Sequence, residues 1–182
     1  MQVESATLAG VLVFVPTPHF DDRGFFTRTF DAVVASRHGV DPASFIQDSQ
    51  SRSRLGVVRG LHGRSGHGEA KLVRCARGAV HDVVVDARPD SPTFGASQTL
   101  RLDDEQHLHL YIPPGLLHGF QALTDFADVC YRIDRSHDAS EDVSVRYDDP
   151  ELAISWPLPV SVISDRDAAA GSWALLRSRL SH

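Results

Sequence analysis

The sequence predicts an all-β fold, a barrel or jelly roll with short helices at its margins. Glycine and proline divide the chain into short segments throughout, which is the pattern of a β-sandwich or β-barrel. Many of these segments are β-branched or alternate apolar with polar residues, as strands do. A chain of 182 residues without a linker-like stretch has the ordinary size of a single domain, so we expect one domain over residues 1–182.

Ten segments have the composition of strands. The run Val83-Val84-Val85 is continuously β-branched, which suits a strand that is covered on both faces. Prolines such as Pro92 and Pro113 are expected to end strands and to form corners. The predicted strands cover residues 11–15, 24–30, 45–53, 57–61, 70–75, 79–86, 96–102, 107–112, 119–122 and 128–133.

The predicted helices are few and short. Asp31 can cap a helix that runs to Arg37 and is closed by Gly39. Ser164 can cap a turn near the C-terminus, and a separate helix is predicted over residues 172–180. These helices are too small to form a layer of their own, so we expect them at the edge of the β structure.

Composition and charge exclude several classes of function. The formal net charge of −6 and the pI near 5.9 argue against a general nucleic-acid-binding surface, which needs clustered Lys and Arg. No stretch is apolar over the length of a membrane span, so we expect no membrane partner. Cys75 and Cys130 lie in apolar, strand-like runs, which favours buried free thiols in a cytoplasmic protein, with a disulfide as the alternative.

His62 is the first residue with a chemical interpretation. It follows the predicted strand at 57–61 and precedes a polar, glycine-rich loop at 63–68. A histidine in that position can reach a cavity, and it needs only a modest pKa adjustment to act as a general base near neutral pH. The alternative is a structural histidine whose ring nitrogens are bonded to neighbouring groups.

His118 lies in the motif Pro113-x-Gly115-x-x-His118, the second histidine motif of cupin-type β-barrels. In metal-binding cupins this histidine joins a first motif of the form His-x-His followed by a glutamate. Around His62 and His67 that first motif is missing, and a metal site usually needs three protein ligands. We therefore predict no metal, and keep a metal-dependent cupin oxygenase as a less favoured alternative.

Three further residues have both a chemical and a structural interpretation. Lys71 shares a strand face with Val73, and an inward ammonium would require a carboxylate or a ligand oxygen; the alternative is an edge lysine that reaches solvent. Tyr131 can pack its ring in a barrel or donate its phenolic proton. Asp167 begins a C-terminal element, where a carboxylate is often only a cap or a partner of the helix dipole.

Together these segments resemble the dTDP-4-dehydrorhamnose 3,5-epimerase family of deoxysugar enzymes. The matching motifs occur in order over roughly residues 10 to 167, and so many collinear short motifs are far more specific than any one of them. They are Asp22-Arg23-Gly24-Phe25-Phe26, Phe45-Ile46-Gln47-Asp48, Ser51-Arg52-Ser53, Val58-Arg59-Gly60-Leu61-His62, Lys71-Leu72-Val73-Arg74, Val83-Val84-Val85-Asp86, Ser91-Pro92-Thr93-Phe94-Gly95, Ile112-Pro113-Pro114-Gly115, His118-Gly119-Phe120, Tyr131, Asp148-Asp149-Pro150 and Trp156-Pro157.

The resemblance implies a cupin-type jelly-roll barrel that works without a metal or other cofactor, usually as a homodimer, on a dTDP-sugar. It implies His62 as the catalytic base, paired with Asp167. It implies Tyr131 as the acid on the opposite face of the sugar and Lys71 as the residue that stabilises an enolate oxygen. The substrate-binding residues that it implies are Arg59, His118 and Asp82 in the pocket, with Asp82 supporting His118, and Arg23, Phe26 and Gln47 at the nucleotide.

The chain also departs from the family's pattern around this set. The family commonly has an aromatic residue after the base histidine, where this chain has Gly63. These departures leave open whether C3, C5 or both carbons are epimerised, and a catalytically silent sugar-nucleotide-binding barrel is the alternative from another functional class. The remaining departures are Arg28, Ser49, Gln50, Ser136 and His137.

Overall fold

The structure, a computed structural model, describes residues 1–180 and confirms the all-β class. The chain forms two antiparallel sheets and a separate two-stranded hairpin. Short helices connect or flank the strands. The strands are β1 Gln2–Ser5, β2 Leu12–Val15, β3 His19–Asp21, β4 Gly24–Phe26, β5 Gln47–Arg54, β6 Val58–Arg64, β7 Lys71–Arg77, β8 Ala79–Asp86, β9 Ser97–Asp103, β10 His109–Ile112, β11 Leu116–Ala122, β12 Phe126–Ile133 and β13 Asp142–Ser144.

The two large sheets pack face to face. The six-stranded sheet has the order β1-β2-β10-β7-β12-β5, and the five-stranded sheet has the order β13-β6-β11-β8-β9. Val73, Leu110 and Val129 from the first sheet meet Val84 and Phe120 from the second in one buried cluster. Removal of this apolar surface from water is the main force that holds the sheets together.

Strands β6 and β11 approach unusually closely at Gly60, two residues before His62. Gly60 has a φ of +128°, and a Cβ at this position would lie 2.5 Å from the Cα of Gly119 on β11. Glycine is needed here because any side chain would strain the backbone and collide with the neighbouring strand. The register of the same strand pair places His62 opposite His118, so the two histidines are cross-strand neighbours.

Both histidines lie inside strands, which corrects the predicted boundaries. Strand β6 continues to Arg64 because β13 pairs with it, with Asp142 opposite Arg64. The loop predicted to follow His62 directly therefore begins only at Ser65. Strand β11 likewise begins at Leu116 rather than at residue 119. A partner strand from distant sequence extends each segment, and local composition does not report such pairing.

All ten predicted strands correspond to observed strands, whereas three observed strands were not predicted. Strand β1 is a mixed polar edge strand, β3 is only three residues long, and β13 has no alternating pattern. The strand predicted over residues 24–30 exists only at Gly24–Phe26, where it pairs with β3. Short edge strands carry little apolar signal because much of their surface stays in water.

The predicted helices are present at the margins of the sheets. Helix α1 spans Ala32–Arg37, and the Asp31 carboxylate accepts hydrogen bonds from the backbone N–H groups of Val33 and Val34 at 3.0 and 3.1 Å. Helix α2 spans Asp165–Ala168 with Ser164 as its cap, and helix α3 spans Trp173–Leu180. Within residues 1–180, no helix has the length and apolar character required to cross a membrane.

The two cysteines are free thiols, as predicted. Cys75 is buried and Cys130 is half-buried. They lie on adjacent strands β7 and β12, but Cys130 pairs with Arg74 and Cys75 pairs with Val129, so the two thiols point to opposite faces of the sheet. Burial raises the pKa of the Cys75 thiol to about 11, which keeps it protonated and unreactive at neutral pH.

Candidate active site

A cavity of about 600 Å³ opens along one end of the two sheets and contains most of the predicted site residues. Its walls come from β5, β6, β7, β11 and β12 and from the segment that leads into helix α2. Seven of the ten predicted residues line it directly: Gln47, Arg59, His62, Lys71, His118, Tyr131 and Asp167.

The central pair of the cavity is His62 and Asp167. The His62 Nε2 lies 2.6 Å from the Asp167 Oδ1, and the other oxygen of Asp167 accepts a 3.3 Å hydrogen bond from the backbone N–H of Gly60. Asp167 is fixed in turn because its N–H donates to the Oγ of Ser164, the cap of helix α2. A carboxylate can only accept, so Nε2 carries the proton of the neutral imidazole and Nδ1 is left as the basic nitrogen.

Burial sets the charge state of His62. Desolvation lowers the pKa of the imidazole below its usual 6.5, and this effect outweighs the opposing hydrogen bond and charge of Asp167. The nearby cations Lys71 and Arg166 lower it further. His62 is therefore neutral near pH 7 and able to accept a proton, which is the state that a general base requires.

His118 forms a second, deeper histidine–carboxylate pair with Asp82. Its Nε2 lies 2.8 Å from the Asp82 Oδ2, and both side chains are almost completely buried. The second carboxylate oxygen of Asp82 has no hydrogen-bond partner among residues 1–180. The ring of His118 meets the ring of Tyr131 edge-on, with centroids 6.1 Å apart. The predicted support of His118 by Asp82 is therefore present in the geometry.

Tyr131 on β12 lines the cavity from the sheet that faces β6. Its ring packs against the core between the sheets. Burial raises the pKa of its phenol well above the ordinary value of 10, so the hydroxyl keeps its proton at neutral pH. Tyr131 can therefore donate a proton from a wall that is distinct from the wall carrying His62.

Lys71 points inward, and an acidic residue that the sequence analysis did not single out compensates its charge. Lys71 is only 8% exposed, and its Nζ lies 3.0 Å from the Oε1 of Glu69. The inward orientation agrees with the prediction from its shared face with Val73. The carboxylate could have been found from the sequence, because Glu69 precedes Lys71 by two residues, which is the spacing of side chains on one face of an extended chain.

Arg59 and Gln47 line the more open part of the cavity. The guanidinium of Arg59 donates to the Oγ of Ser53 at 2.9 Å and to the backbone oxygen of Arg52 at 3.2 Å, and the residue lines the cavity. Gln47 donates through Nε2 to the Oγ of Ser49 at 3.1 Å. These neutral and cationic donors suit the oxygens of a nucleotide diphosphate better than an apolar ligand.

Arg23 and Phe26 do not lie in the cavity of their own chain. Both belong to the β3–β4 hairpin, whose residues are exposed. Phe26 is 75% exposed, and the guanidinium of Arg23 forms an ion pair with the neighbouring Asp21 at 2.6 Å. The structure therefore separates these two predicted nucleotide-binding residues from the other eight.

A family model described as dTDP-4-dehydrorhamnose 3,5-epimerase matches residues 5–174 of this sequence. The chain belongs to the dTDP-4-dehydrorhamnose 3,5-epimerase family. A relative with that name from Methanothermobacter thermautotrophicus is 37% identical over 174 residues, covering 94% of this chain and 92% of the relative. A dTDP-4-dehydrorhamnose 3-epimerase from Streptomyces niveus is 38% identical over 171 residues, covering 93% of this chain and 83% of that protein. Family members at similar identity are thus named for action at two carbons or at one.

Solved structures of the same family confirm the fold. The crystal structure of NovW, a 4-keto-6-deoxy sugar epimerase from the novobiocin cluster of Streptomyces spheroides, superposes with a TM-score of 0.94 at 38% identity. The alignment covers 98% of this chain and 90% of NovW. The all-β class and the epimerase family inferred from collinear motifs are therefore both confirmed.

Gly63, the departure from the family pattern that follows His62, also lines the cavity. A Cβ at residue 63 would be directed at β11, 2.9 Å from the Cδ2 of Leu117 and 3.0 Å from the backbone oxygen of Leu116. Side chains alternate along β6, so residue 63 faces away from His62. Of the other departures from the family pattern, Ser49 and His137 line the cavity.

Metal-binding side chains do not gather into a cluster in the part of the chain that the structure describes. Among residues 1–180, no group of three or more His, Cys, Asp or Glu side chains is arranged to hold a metal ion. The two cavity histidines are instead hydrogen-bonded to separate carboxylates. His118, the histidine of the cupin-like motif, is thus hydrogen-bonded to Asp82.

Proposed function

We propose that this chain epimerises a dTDP-4-keto-6-deoxyhexose at C3, C5 or both. The observation that carries the proposal is the arrangement of the His62–Asp167 pair, the Lys71 ammonium and the Tyr131 hydroxyl around one cavity. A base, an oxyanion-stabilising cation and a separate acid are the three groups that this reaction needs. The reaction neither oxidises nor reduces the sugar, so we expect it to need no cofactor.

The residues support a sequence of two proton transfers. The 4-keto group acidifies the hydrogens on C3 and C5, and His62 removes one of them through its basic nitrogen. The electron pair moves to the carbonyl oxygen, and Lys71 stabilises the enolate that results; such electrostatic stabilisation is often the largest catalytic contribution. Tyr131 then donates its proton to the opposite face of the carbon, which inverts the centre. Asp167 holds the imidazole in position and stabilises it once it is protonated.

The nucleotide provides the binding energy and the orientation. We propose that Arg59 and Gln47, which line the same cavity, bind the diphosphate. Hydrogen bonds between a guanidinium and phosphate oxygens are charge-assisted, and such bonds are stronger than those between neutral groups. A structural relative from Legionella pneumophila, 37% identical with a TM-score of 0.91, was solved in complex with dTDP-4-keto-L-rhamnose. This likeness, over 98% of our chain and 96% of that one, supports a dTDP-sugar as the ligand.

The function is tested by incubation with dTDP-4-keto-6-deoxyglucose in deuterated water. We expect the sugar to gain deuterium by mass spectrometry, one atom for a mono-epimerase and two for action at C3 and C5, with NMR to assign the position. A matched incubation without enzyme corrects for spontaneous exchange next to the ketone. If the protein binds dTDP but causes no exchange above the control, the epimerase proposal is wrong. The protein would then be a catalytically silent sugar-nucleotide-binding barrel.

We further propose that the active form is a homodimer in which the β3–β4 hairpin serves the partner's cavity. Phe20, Phe25 and Phe26 are 74%, 54% and 75% exposed, and a monomer would leave this apolar cluster in water. The same hairpin carries Arg23, away from the cavity of its own chain. A second copy would bury the aromatic rings and supply the predicted nucleotide-binding residues.

Free thiols in Cys75 and Cys130 also suit the cytoplasm, where we expect the enzyme to act.

Mixing two defective variants tests this arrangement. Arg23→Ala and His62→Ala are each expected to be impaired at low substrate concentration. If dimers re-form at random from an equal mixture, half of them contain one chain of each variant. In such a mixed dimer, one of the two cavities combines a wild-type hairpin with a wild-type base, so about a quarter of all cavities are intact. We therefore expect about a quarter of wild-type activity after unfolding and refolding the mixture together. No recovery, or a chain that remains monomeric in light scattering, would contradict the proposal.

A further inference from the structure

We propose that Glu69 is a positioning residue for Lys71, holding its ammonium where the enolate oxygen develops. The inference rests on the proposed function and assigns a role to a carboxylate that the catalytic scheme does not otherwise use. Glu69 lines the same cavity as His62, Lys71 and Tyr131.

Each carboxylate oxygen of Glu69 has a cationic partner. Its Oε1 lies 3.0 Å from the Lys71 Nζ, and its Oε2 accepts a 2.6 Å hydrogen bond from the Arg64 Nε. The side chains of Glu69, Lys71 and Arg64 are 9%, 10% and 5% exposed. A buried ion pair of this kind is held by geometry, since neither partner can exchange freely with water.

Arg64 connects Glu69 to residues 137 and 138, of which His137 lines the cavity. Its Nη1 donates to the backbone oxygen of Asp138 at 3.0 Å, and its Nη2 lies 2.7 Å from the Nδ1 of His137. All three guanidinium nitrogens therefore have partners. Arg64 is fixed at both ends, so Glu69 is a rigid support rather than a mobile counter-ion.

The charges explain why the support matters for catalysis. Arg64, Glu69 and Lys71 together carry one net positive charge, and Glu69 lies between the two cations. Without its carboxylate, two cations would share a buried wall unopposed, and their repulsion would displace the flexible lysine. An oxyanion is stabilised only if its cation is already in position, and a shift of about 1 Å can cost about 100-fold in rate.

The first test compares Glu69→Gln with the wild type. The amide keeps the size of the side chain and removes its charge. We expect kcat for deuterium exchange to fall by about 10- to 100-fold, as misplacement of a catalytic group does. The KM and the Kd for dTDP should change by less than about threefold, because Glu69 acts only in the chemical step. The matched control is Glu141→Gln, which removes a carboxylate from an ion pair with Arg135 outside the cavity lining and should leave kcat unchanged.

A double-mutant cycle separates positioning from general structural support. If Glu69 acts through Lys71, adding Glu69→Gln to Lys71→Met should lower the residual exchange rate by less than about twofold, since the group it positions is gone. An independent structural role would instead give the full loss again in the double variant. That additive result, or an unchanged kcat in Glu69→Gln, would overturn the proposal while leaving the epimerase function intact. Absence of exchange in the wild type would overturn both.

Discussion

Replacement of His62 by alanine is expected to abolish exchange while leaving dTDP binding nearly intact. Removal of a positioned general base typically lowers a rate by about 10²- to 10⁴-fold. The substituted side chain is hydrogen-bonded to Asp167, whereas Arg59 and Gln47, the proposed nucleotide-binding residues, are unchanged in this variant. The measurement is deuterium incorporation by mass spectrometry, together with dTDP affinity by calorimetry.

Two further measurements make the assignment of the base specific. His38→Ala is the matched control, because His38 is exposed at the end of helix α1 and should tolerate the change. In the wild type, kcat/KM should fall on acidification through the pKa of His62, which burial places below 6.5, and should be flat just above it. The value of kcat/KM falls on acidification because only the neutral imidazole of His62 can accept the proton. Full activity of His62→Ala would show that another group is the base.

Replacement of Tyr131 by phenylalanine is expected to separate exchange from epimerisation. His62 can still form the enolate in this variant, and the protonated imidazole can return a solvent-derived deuteron to the same face. We therefore expect exchange within about tenfold of the wild type but a loss of inverted product of about 100-fold or more, since the acid on the other face is missing. Stereochemistry is measured by NMR of the product and exchange by mass spectrometry.

The phenylalanine variant keeps the aromatic packing, so its effect reports on the hydroxyl. Tyr147→Phe is the matched control, because Tyr147 contacts Trp156 and does not line the cavity. Inversion at the wild-type rate in Tyr131→Phe would assign the acid role to another group, with His118 as the first candidate because its ring meets that of Tyr131 edge-on. Loss of both exchange and inversion would mean that Tyr131 is needed to form the enolate itself.

The strand pattern was predictable because it depends on local composition. The run at 83–85 and the glycine and proline positions indicated ten strands, and all ten correspond to observed strands. The three unpredicted strands are short edges, whose formation depends on a neighbour from elsewhere in the chain. The same dependence explains why the ends of β6 and β11 were misplaced, although both contain a residue of the candidate site.

The candidate site was predictable in its residue types but only partly in its geometry. An inward Lys71 implied an anion, and the structure supplies it in Glu69. Motif resemblance also selected Arg23 and Phe26, yet the hairpin holds them away from the cavity of their own chain. A sequence motif identifies a side chain but does not specify which copy of the chain presents it to a site.

The sequence by itself determined the all-β class, the family and the residues with the chemistry for proton transfer. Only the tertiary structure decided that Asp167 meets His62 across 105 residues, that His62 and His118 are cross-strand neighbours, and that Glu69 bridges Lys71 and Arg64. The physical reason is that strand composition is local, whereas a hydrogen bond between distant side chains depends on the register of pairing and the packing of two sheets.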